Sequence, residues 1–517
     1  MNLPLDILLV AALIGGILLG YPVSFTLSGI AALFAVIGFL TGSFDMGLLG
    51  ALAQRVFGLL TNDVLIAIPL FVLMGVVLEK SHIAEELLET MGKLFGRMRG
   101  GLGISVVLVG ALLAASTGIV GATVVAMGLI ALPTMLRNNY DKSLACGIVC
   151  TSGTLGQIIP PSTLLIILTD VMSNAYQQAQ YAEGQFSIDT ISVGQMFAAA
   201  LIPGVVLVSV YLIYVLIRSW LQPHVAPALS GGEYIKPTTA DVVRAVLPPI
   251  FLIIAVLGSI LGGVATPSEA ASVGAIGAIL MAGARLGESP AWMIGGACSF
   301  LGLAGVAGVA PVRLQRVDAG LVEWLIGGVC IMLVVIGVVA VTKALKKTFK
   351  EKILGPILSS TMVVTAMIFA TILTASMFSL VFIGLGGEER IEWIIKAMPG
   401  GENGALIFCM LLIFVLGFFL DFVEISVILL PLVAPTLIIM GHDPIWLSVL
   451  IAINLQTSFL TPPFGFSLFY LRGAAPPEIT TGQIYKGVIP FIILQIIGVS
   501  ILWFMPGLAT FLPRAIF

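Results

Sequence analysis

The chain has 517 residues, of which 59% are hydrophobic and 9% charged, with a formal net charge of −3. A soluble domain carries about 25% charged residues, so this composition, with a mean hydropathy of +1.15, excludes a water-exposed globule and points to an all-α polytopic membrane protein. It also leaves no basic stripe for nucleic acid, and five cysteines inside apolar runs are not a secreted disulfide framework.

At the start of the chain Asp6 precedes the first apolar run, and no basic segment stands before it. The run is therefore expected to belong to the mature fold rather than to a cleaved signal. A bilayer core of about 30 Å needs about 20 helical residues. Twelve spans are expected near 4–20, 23–40, 63–79, 144–169, 196–217, 246–263, 267–284, 292–310, 321–342, 353–382, 444–471 and 487–511. Cys146 and Cys150 stand one helical turn apart with no His or carboxylate nearby, which favours buried small residues over a metal pair.

Two apolar segments, 102–136 and 404–440, are too long for single spans. A helix of 35 residues would reach about 52 Å. Each has a helix-weakening centre: Ser116-Thr117-Gly118-Ile119-Val120-Gly121 in the first, and Leu420-Asp421-Phe422-Val423-Glu424 in the second. Either a pair of short complete spans or a re-entrant hairpin satisfies each segment. Lys93, Arg97, Arg99, Arg137 and Lys142 flank the first and place both its ends in the cytoplasm. From that anchor, seventeen of the 23 basic residues fall inside. The resulting topology has twelve spans, two hairpins and both termini outside.

The chain also repeats. Gly20-Tyr21-Pro22 separates two spans early in the first half, and Gly262-Gly263-Val264-Ala265-Thr266-Pro267 does so in the second. A short charged amphipathic stretch, 79–99 or 386–398, precedes each long apolar segment. A span interrupted by a double proline follows each one, Thr151 to Ser162 and Asn454 to Gly465. The halves begin on opposite sides, so the repeat is inverted. Two additional spans, about 292–342, are inserted into the second half and lead into a Lys-rich cytoplasmic loop (343–352).

Proline inside a span removes a backbone donor, and the freed carbonyls are tolerated only against protein or a polar cavity. Interrupted helices expose carbonyl oxygens that suit a small cation and helix N-termini that suit an anion. Thr151, Ser152, Thr154, Thr457, Ser458 and Thr461 add hydroxyl oxygens, a donor set suited to Na+. The hairpin tips, Ser116-Thr117 and Asp421, would close the two sites from opposite faces. Asp421 either binds the cation or caps a hairpin helix, Glu424 is interfacial or capping, and Glu269 caps the helix after Thr266-Pro267-Ser268. Thr154, Asn454, Gln456 and Ser458 are candidate contacts to the solute. His82, His224 and His442 lie in loops and form no metal shell.

The Gly20-Tyr21-Pro22 opening, the GGVATPSEAA segment from Gly262 to Ala271, the double-proline breaks and the Asp421 hairpin together resemble the large membrane subunit of the tripartite ATP-independent periplasmic (TRAP) transporters. That resemblance covers nearly the whole chain except about 285–350. It implies an elevator-type transporter with a fixed scaffold and a moving domain, driven by a Na+ gradient and located in the bacterial inner membrane. The scaffold would comprise 1–100 and 171–400, and the transport elements 101–170 and 401–472, with a last span in 473–517. One Na+ site would map to Ser116 and Thr117 with Ser152, Gly153, Gly156 and Pro160. The other would map to Asp421 with Thr457, Leu460, Thr461 and Pro462. The implied partners are a small four-span membrane subunit, which this chain is expected to lack, and a periplasmic solute-binding protein that delivers an organic anion. Typical large subunits lack the 285–350 insertion; it could meet the small subunit, lipid or another protomer, or be inert elaboration.

A stand-alone Na+-coupled anion symporter of similar architecture is the alternative. A membrane-embedded enzyme is disfavoured, because the chain has no zinc-type His-Glu spacing, no Gly-x-Ser-x-Gly elbow and no paired catalytic carboxylates in the membrane. No phosphate loop supports an ATP-driven pump, and two closed hairpins argue for alternating access over a channel.

Overall fold

The computed structural model describes residues 4–117, 120–228, 237–309 and 321–517. All regular elements among them are helices. The first half contains α1 (Leu5–Leu18), α2 (Val23–Leu40), α3 (Ala51–Leu60), α4 (Asp63–Lys80), α5 (Ile83–Phe95), α6 (Gly101–Thr117), α7 (Val120–Arg137), α8 (Lys142–Thr154), α9 (Thr163–Ala182) and α10 (Val193–Leu221). The second contains α11 (Thr239–Leu261), α12 (Pro267–Arg285), α13 (Pro290–Val309), α14 (Leu321–Lys350), α15 (Leu354–Gly384), α16 (Gly387–Lys396), α17 (Gly401–Leu416), α18 (Phe422–Ile428), α19 (Leu430–Ile439), α20 (Pro444–Leu460), α21 (Phe466–Ala474), α22 (Thr481–Phe504) and α23 (Gly507–Ile516).

Helix starts follow local chemistry. Asp141 caps α8 by accepting from Leu144 N–H, and Asp443 caps α20 by accepting from Ile445 and Trp446 N–H. Thr266 and Glu269 form a capping box at α12, as the sequence indicates. The inner faces of the helices pack into one large apolar core dominated by Leu, Ile, Val, Ala and Phe. Many large apolar side chains remain on the outer faces, among them Phe25, Trp220, Phe251, Trp324 and Met362. Such a surface suits lipid.

Among the described residues, eight helices are individually long and apolar enough to cross a bilayer: α2, α7, α10, α11, α12, α14, α15 and α22. Two bent pairs qualify jointly, the α3 segment with α4 at 54° and α18 with α19 at 58°. The remaining expected spans, α1, α13 and the two interrupted helices, are shorter or broken.

Three local expectations change. The last span, expected at 487–511, ends at Phe504, because Pro506 cannot continue the helical hydrogen bonds. A separate α23 follows and packs on α10. The lysine run expected as a loop is largely helical: Lys343, Lys346, Lys347 and Lys350 occupy the last turns of α14, where cations complement the helix dipole. Helix α3 has no counterpart among the expected elements.

The internal repeat extends to backbone detail. Left-handed residues occupy matching turns: Gly20 and Gly263, Gly42 and Gly287, His82 and Gly386, Gly100 and Gly400, Asn139 and Gly441. Contacts are matched too. Helix α12 packs on α4 as α15 packs on α2, and α5 packs on α6 as α16 packs on α17.

The repeats run in opposite directions. Near the start of α22, Lys142 pairs with Glu478 at 3.8 Å, and the backbones of Gly147 and Gly487 meet. Near its end, Trp446 Nε1 donates to the Leu502 carbonyl at 2.9 Å. Residues 487 and 502 are about 22 Å apart along a helix. Helices α8 and α20 therefore start near opposite ends of α22 and run inward, which makes the repeat inverted.

Candidate functional site

Each long apolar segment folds back on itself. Gly100 N–H donates to Ala226 O at 3.0 Å and Asp141 N–H to Val225 O at 2.9 Å, so the first segment begins and ends at one place. In the second, His442 Nε2 meets Glu402 O at 3.2 Å, again joining end to beginning. Both are hairpins. Helix α6 runs beside α8 from a common end and finishes where α8 gives way to the 3-10 turn Leu155–Gln157, against which α6 and α7 pack. The hairpin thus turns at the depth of the helix break, while α9 continues about 30 Å further. A fold-back that ends level with the break fits the expected re-entrant hairpin.

Tight packing holds each hairpin against its broken helix. A Cβ on Gly110 would lie 2.5 Å from Ser152 Cβ, and one on Gly417 would lie 2.1 Å from Ser458 Oγ. Glycine at both positions allows the close approach. The returning arms cross to the other repeat: α7 lies along α21, and α18–α19 lies along α9. At the second tip, the rings of Phe419 and Phe464 are 5.4 Å apart, which brings the tip onto the second break.

At each break one helix ends and another begins. The Pro160–Pro161 and Pro462–Pro463 bonds are both cis. Ser162 Oγ donates to Gln157 O at 3.1 Å at the first break. At the second, Ser467 Oγ donates to Phe459 O at 2.7 Å. Five of the six hydroxyls singled out at the breaks share one pattern, Thr151 being the exception. Ser152 donates to Ile148 O, Thr154 to Thr151 O, Thr457 to Ile453 O, Ser458 to Leu455 O and Thr461 to Thr457 O, over 2.6–2.9 Å. Each proton is thereby committed to the preceding turn, and the oxygen lone pairs remain available as acceptors. Gly153, Gly156, Pro160 and Leu460 are buried at the breaks, and Pro462 is half-buried beside Thr461. The side chains of Ser116 and Thr117, and all of Gly118, lie outside the described residues.

Asp421 and Glu424 form a capping box. Asp421 Oδ1 accepts from Phe422 N–H at 2.7 Å, and Glu424 Oε2 accepts from Asp421 N–H at 2.9 Å. The two carboxylates thus shape the tip of the second hairpin. Asn454 Nδ2 donates to Met410 O at 2.8 Å and ties α20 to α17. Gln456 Nε2 donates to Thr154 Oγ1 at 3.3 Å, joining the two repeats directly. Cys146 and Cys150 are free and buried in α8.

Gln157 and Ser426 escaped the sequence reading. Gln157 Nε2 and Oε1, Ser426 Oγ, Thr151 Oγ1 and Gln456 Oε1 are buried among the described residues without a hydrogen-bond partner. The residues matching Gln157 and Ser426 in the other repeat are Phe459 and Val124, so comparing the repeats hides both. A further polar contact lies at the flank of the site: Asn62 caps α4 and also donates Nδ2 to Asp170 of α9 at 2.7 Å.

The family model described as tripartite ATP-independent periplasmic transporter, DctM component, matches residues 10–508. A C4-dicarboxylate TRAP transporter large permease protein of Vibrio cholerae is 26% identical, over 98% of this chain and 97% of its own. An ectoine TRAP transporter large permease protein of Halomonas elongata is 24% identical over 98% of both chains. A sialic acid TRAP transporter large permease protein of Vibrio cholerae is 24% identical over 97% and 96%. Among solved structures, the YdaH transporter of Alcanivorax borkumensis aligns with a TM-score of 0.54 over 98% of both chains at 13% identity. MtrF of Neisseria gonorrhoeae aligns with a TM-score of 0.53 over 89% of this chain and 83% of its own, also at 13% identity. Both structural matches place the chain in a membrane-transporter fold.

Proposed function

Because this chain belongs to the DctM component family of the tripartite ATP-independent periplasmic transporters, we propose that it is the permease through which a Na+ gradient drives uptake of a small organic acid delivered by a periplasmic binding protein. It is a multi-pass inner-membrane protein and a transporter rather than an enzyme. Its named relatives serve C4-dicarboxylates, ectoine and sialic acid, which supports an organic acid as cargo here. A small membrane permease would complete the scaffold.

The observation that carries the reading is the pair of opposed hairpins, each turning at the break of an interrupted helix. Such a break offers carbonyls and oriented hydroxyl oxygens to Na+ and a helix N-terminus to an anion. Ser152, Gly153, Gly156 and Pro160, with Ser116 and Thr117 at the tip, would form one Na+ site. Thr457, Leu460, Thr461 and Pro462, with Asp421 at the tip, would form the other. Thr154, Gln456 and Ser458 would face the solute. Asn454, already bonded to Met410 O, would hold the site together. The hairpins and broken helices (101–170 and 401–472) would move as one body against the remaining helices in an elevator cycle.

Reconstitution tests the reading. The chain and its small partner are placed in proteoliposomes, and uptake of candidate organic acids is followed with and without an inward Na+ gradient and the binding protein. Uptake that needs both supports the proposal. Uptake with Na+ alone would make the chain a stand-alone symporter of the same architecture, and uptake without Na+ would remove the coupling.

A further inference from the structure

Gln456 and Thr154 each stand six residues before the first proline of a double-proline break, in different repeats. Both are fully buried, and they meet through one hydrogen bond. The chemistry of that bond is directional. Thr154 Oγ1 gives its proton to Thr151 O at 2.9 Å, so toward Gln456 it acts as an acceptor. Gln456 must then present Nε2 to it. This orients the amide and leaves Gln456 Oε1 as a buried acceptor with no partner.

Gln157 lies three residues beyond Thr154, about one helical turn further along the same face. It is fully buried, and both its amide atoms lack partners among the described residues. The 3-10 turn that carries it packs against α20, the helix of Gln456. Among the described residues, two unpaired acceptors and one unpaired donor are therefore buried on the 3-10 turn and on α20, elements of the two repeats that pack together. Buried polar atoms are ordinarily paired, so unpaired amide atoms on these adjoining elements are free to take a ligand's polar group.

The identity of the free atoms selects the ligand's chemistry. A carboxylate only accepts hydrogen bonds, so it cannot satisfy Gln456 Oε1 and would repel it. A hydroxyl or an ammonium donates to Gln456 Oε1, and a hydroxyl also accepts from Gln157 Nε2. We infer that the meeting point of the two repeats is a subsite for a hydrogen-bond-donating group on the solute, so that the cargo is a hydroxy acid or an amino acid rather than an acid bearing carboxylates alone. The inference rests on the transport reading and adds a substrate class to it.

The test compares acids that differ at one carbon: succinate with L-malate and L-aspartate, glutarate with 2-hydroxyglutarate and L-glutamate, propionate with L-lactate and L-alanine. Each is titrated against the purified full-length chain in Na+ buffer, with the shift in melting temperature as the readout. In the series that binds, the hydroxy or amino member is expected to bind about tenfold tighter than its parent, since a site built to pair a donor rejects the analogue that lacks it. Gln456→Met and Gln157→Met are expected to bring that ratio toward one, and the wild-type ratio stands as a test whether or not either variant folds. Parent acids that bind as tightly as their relatives would overturn this inference while leaving the transport reading intact. Binding of none of the nine would overturn the substrate class. It would overturn the transport reading as well if reconstituted uptake also failed.

Discussion

Tyr140 and His442 perform the same task at opposite ends of the molecule. Each lies just past the returning arm of a hairpin and bonds back to its beginning, Tyr140 Oη accepting from Gly103 N–H at 3.3 Å and His442 Nε2 meeting Glu402 O at 3.2 Å. The spacing between them, 302 residues, is the spacing between Thr154 and Gln456. Pro133 and Pro435 inside the returning arms keep the same register, as do the helix caps Asp141 and Asp443.

Opposed hairpins predict opposite sidedness. In a cysteine-free background, single cysteines at Asn139 and Glu402, both exposed at the hairpin bases, should react with a membrane-impermeant maleimide from different sides. Asn139 should label only in inside-out vesicles and Glu402 only in intact spheroplasts. Reaction of both from one side would remove the inverted topology.

The close approach at the second hairpin is sterically exacting. Gly417→Ala places a methyl group 2.1 Å from Ser458 Oγ and should destabilise the chain by about 1–3 kcal/mol, the range for an overpacked interior. A lower melting temperature would report it. Gly417→Ala combined with Ser458→Gly should recover most of that loss, whereas equal melting temperatures for the single variant and wild type would show that the hairpin has room to shift.

Thr461 commits its proton to Thr457 O and leaves its lone pairs at the second break. Thr461→Val keeps the shape and removes the oxygen. Half-saturating Na+ for uptake should rise about tenfold, equivalent to about 1.4 kcal/mol, with little change in melting temperature. An unchanged Na+ titration would take Thr461 out of the ion site.

Asp6 in α1 is buried and ion-paired to Arg390 in α16, and its second carboxylate oxygen has no hydrogen-bond partner among the described residues. Arg390→Ala would strand a buried carboxylate, at a cost of about 3 kcal/mol. Arg390→Ala with Asp6→Leu should be more stable than Arg390→Ala alone. Circular-dichroism melts in detergent would order the variants, and a single variant as stable as wild type would show the pair to be inconsequential.

Much of this architecture could be read from the residues. The two segments too long for one span, the double prolines and the basic flanks located the hairpins, the breaks and the orientation of the repeat. Glu269 read correctly as a cap because Thr266-Pro267 precedes it in a local pattern. The depth of the hairpins could not be read, because charge parity is the same for a hairpin and for two spans; it is set by the packing of α6 and α7 against the first break. Helix α3 was missed for want of an apolar run long enough to span. Gln157 was missed because what sets it apart is the absence of a partner, a property of three-dimensional surroundings that no spacing encodes. Asp421 left two roles open, and the structure fills one of them with the capping box.

The inserted pair, α13 and α14, packs mainly on α12, with a smaller contact to α15. Small residues knit it in place, with Gly283 against Ala344 and Gly296 against Ala340, while Val322, Leu325, Ile331 and Val335 point away from the bundle. Lys343 Nζ sits 3.8 Å from the centre of the Trp292 ring. The pair behaves as an outrigger: it widens the hull of the protein in the bilayer, and among the described residues its main contacts are to α12 and α15 rather than to the hairpins or the interrupted helices. A lineage could therefore gain, lose or remodel it, fitting the chain to a different membrane thickness or a different neighbour, without retuning the machinery at the centre.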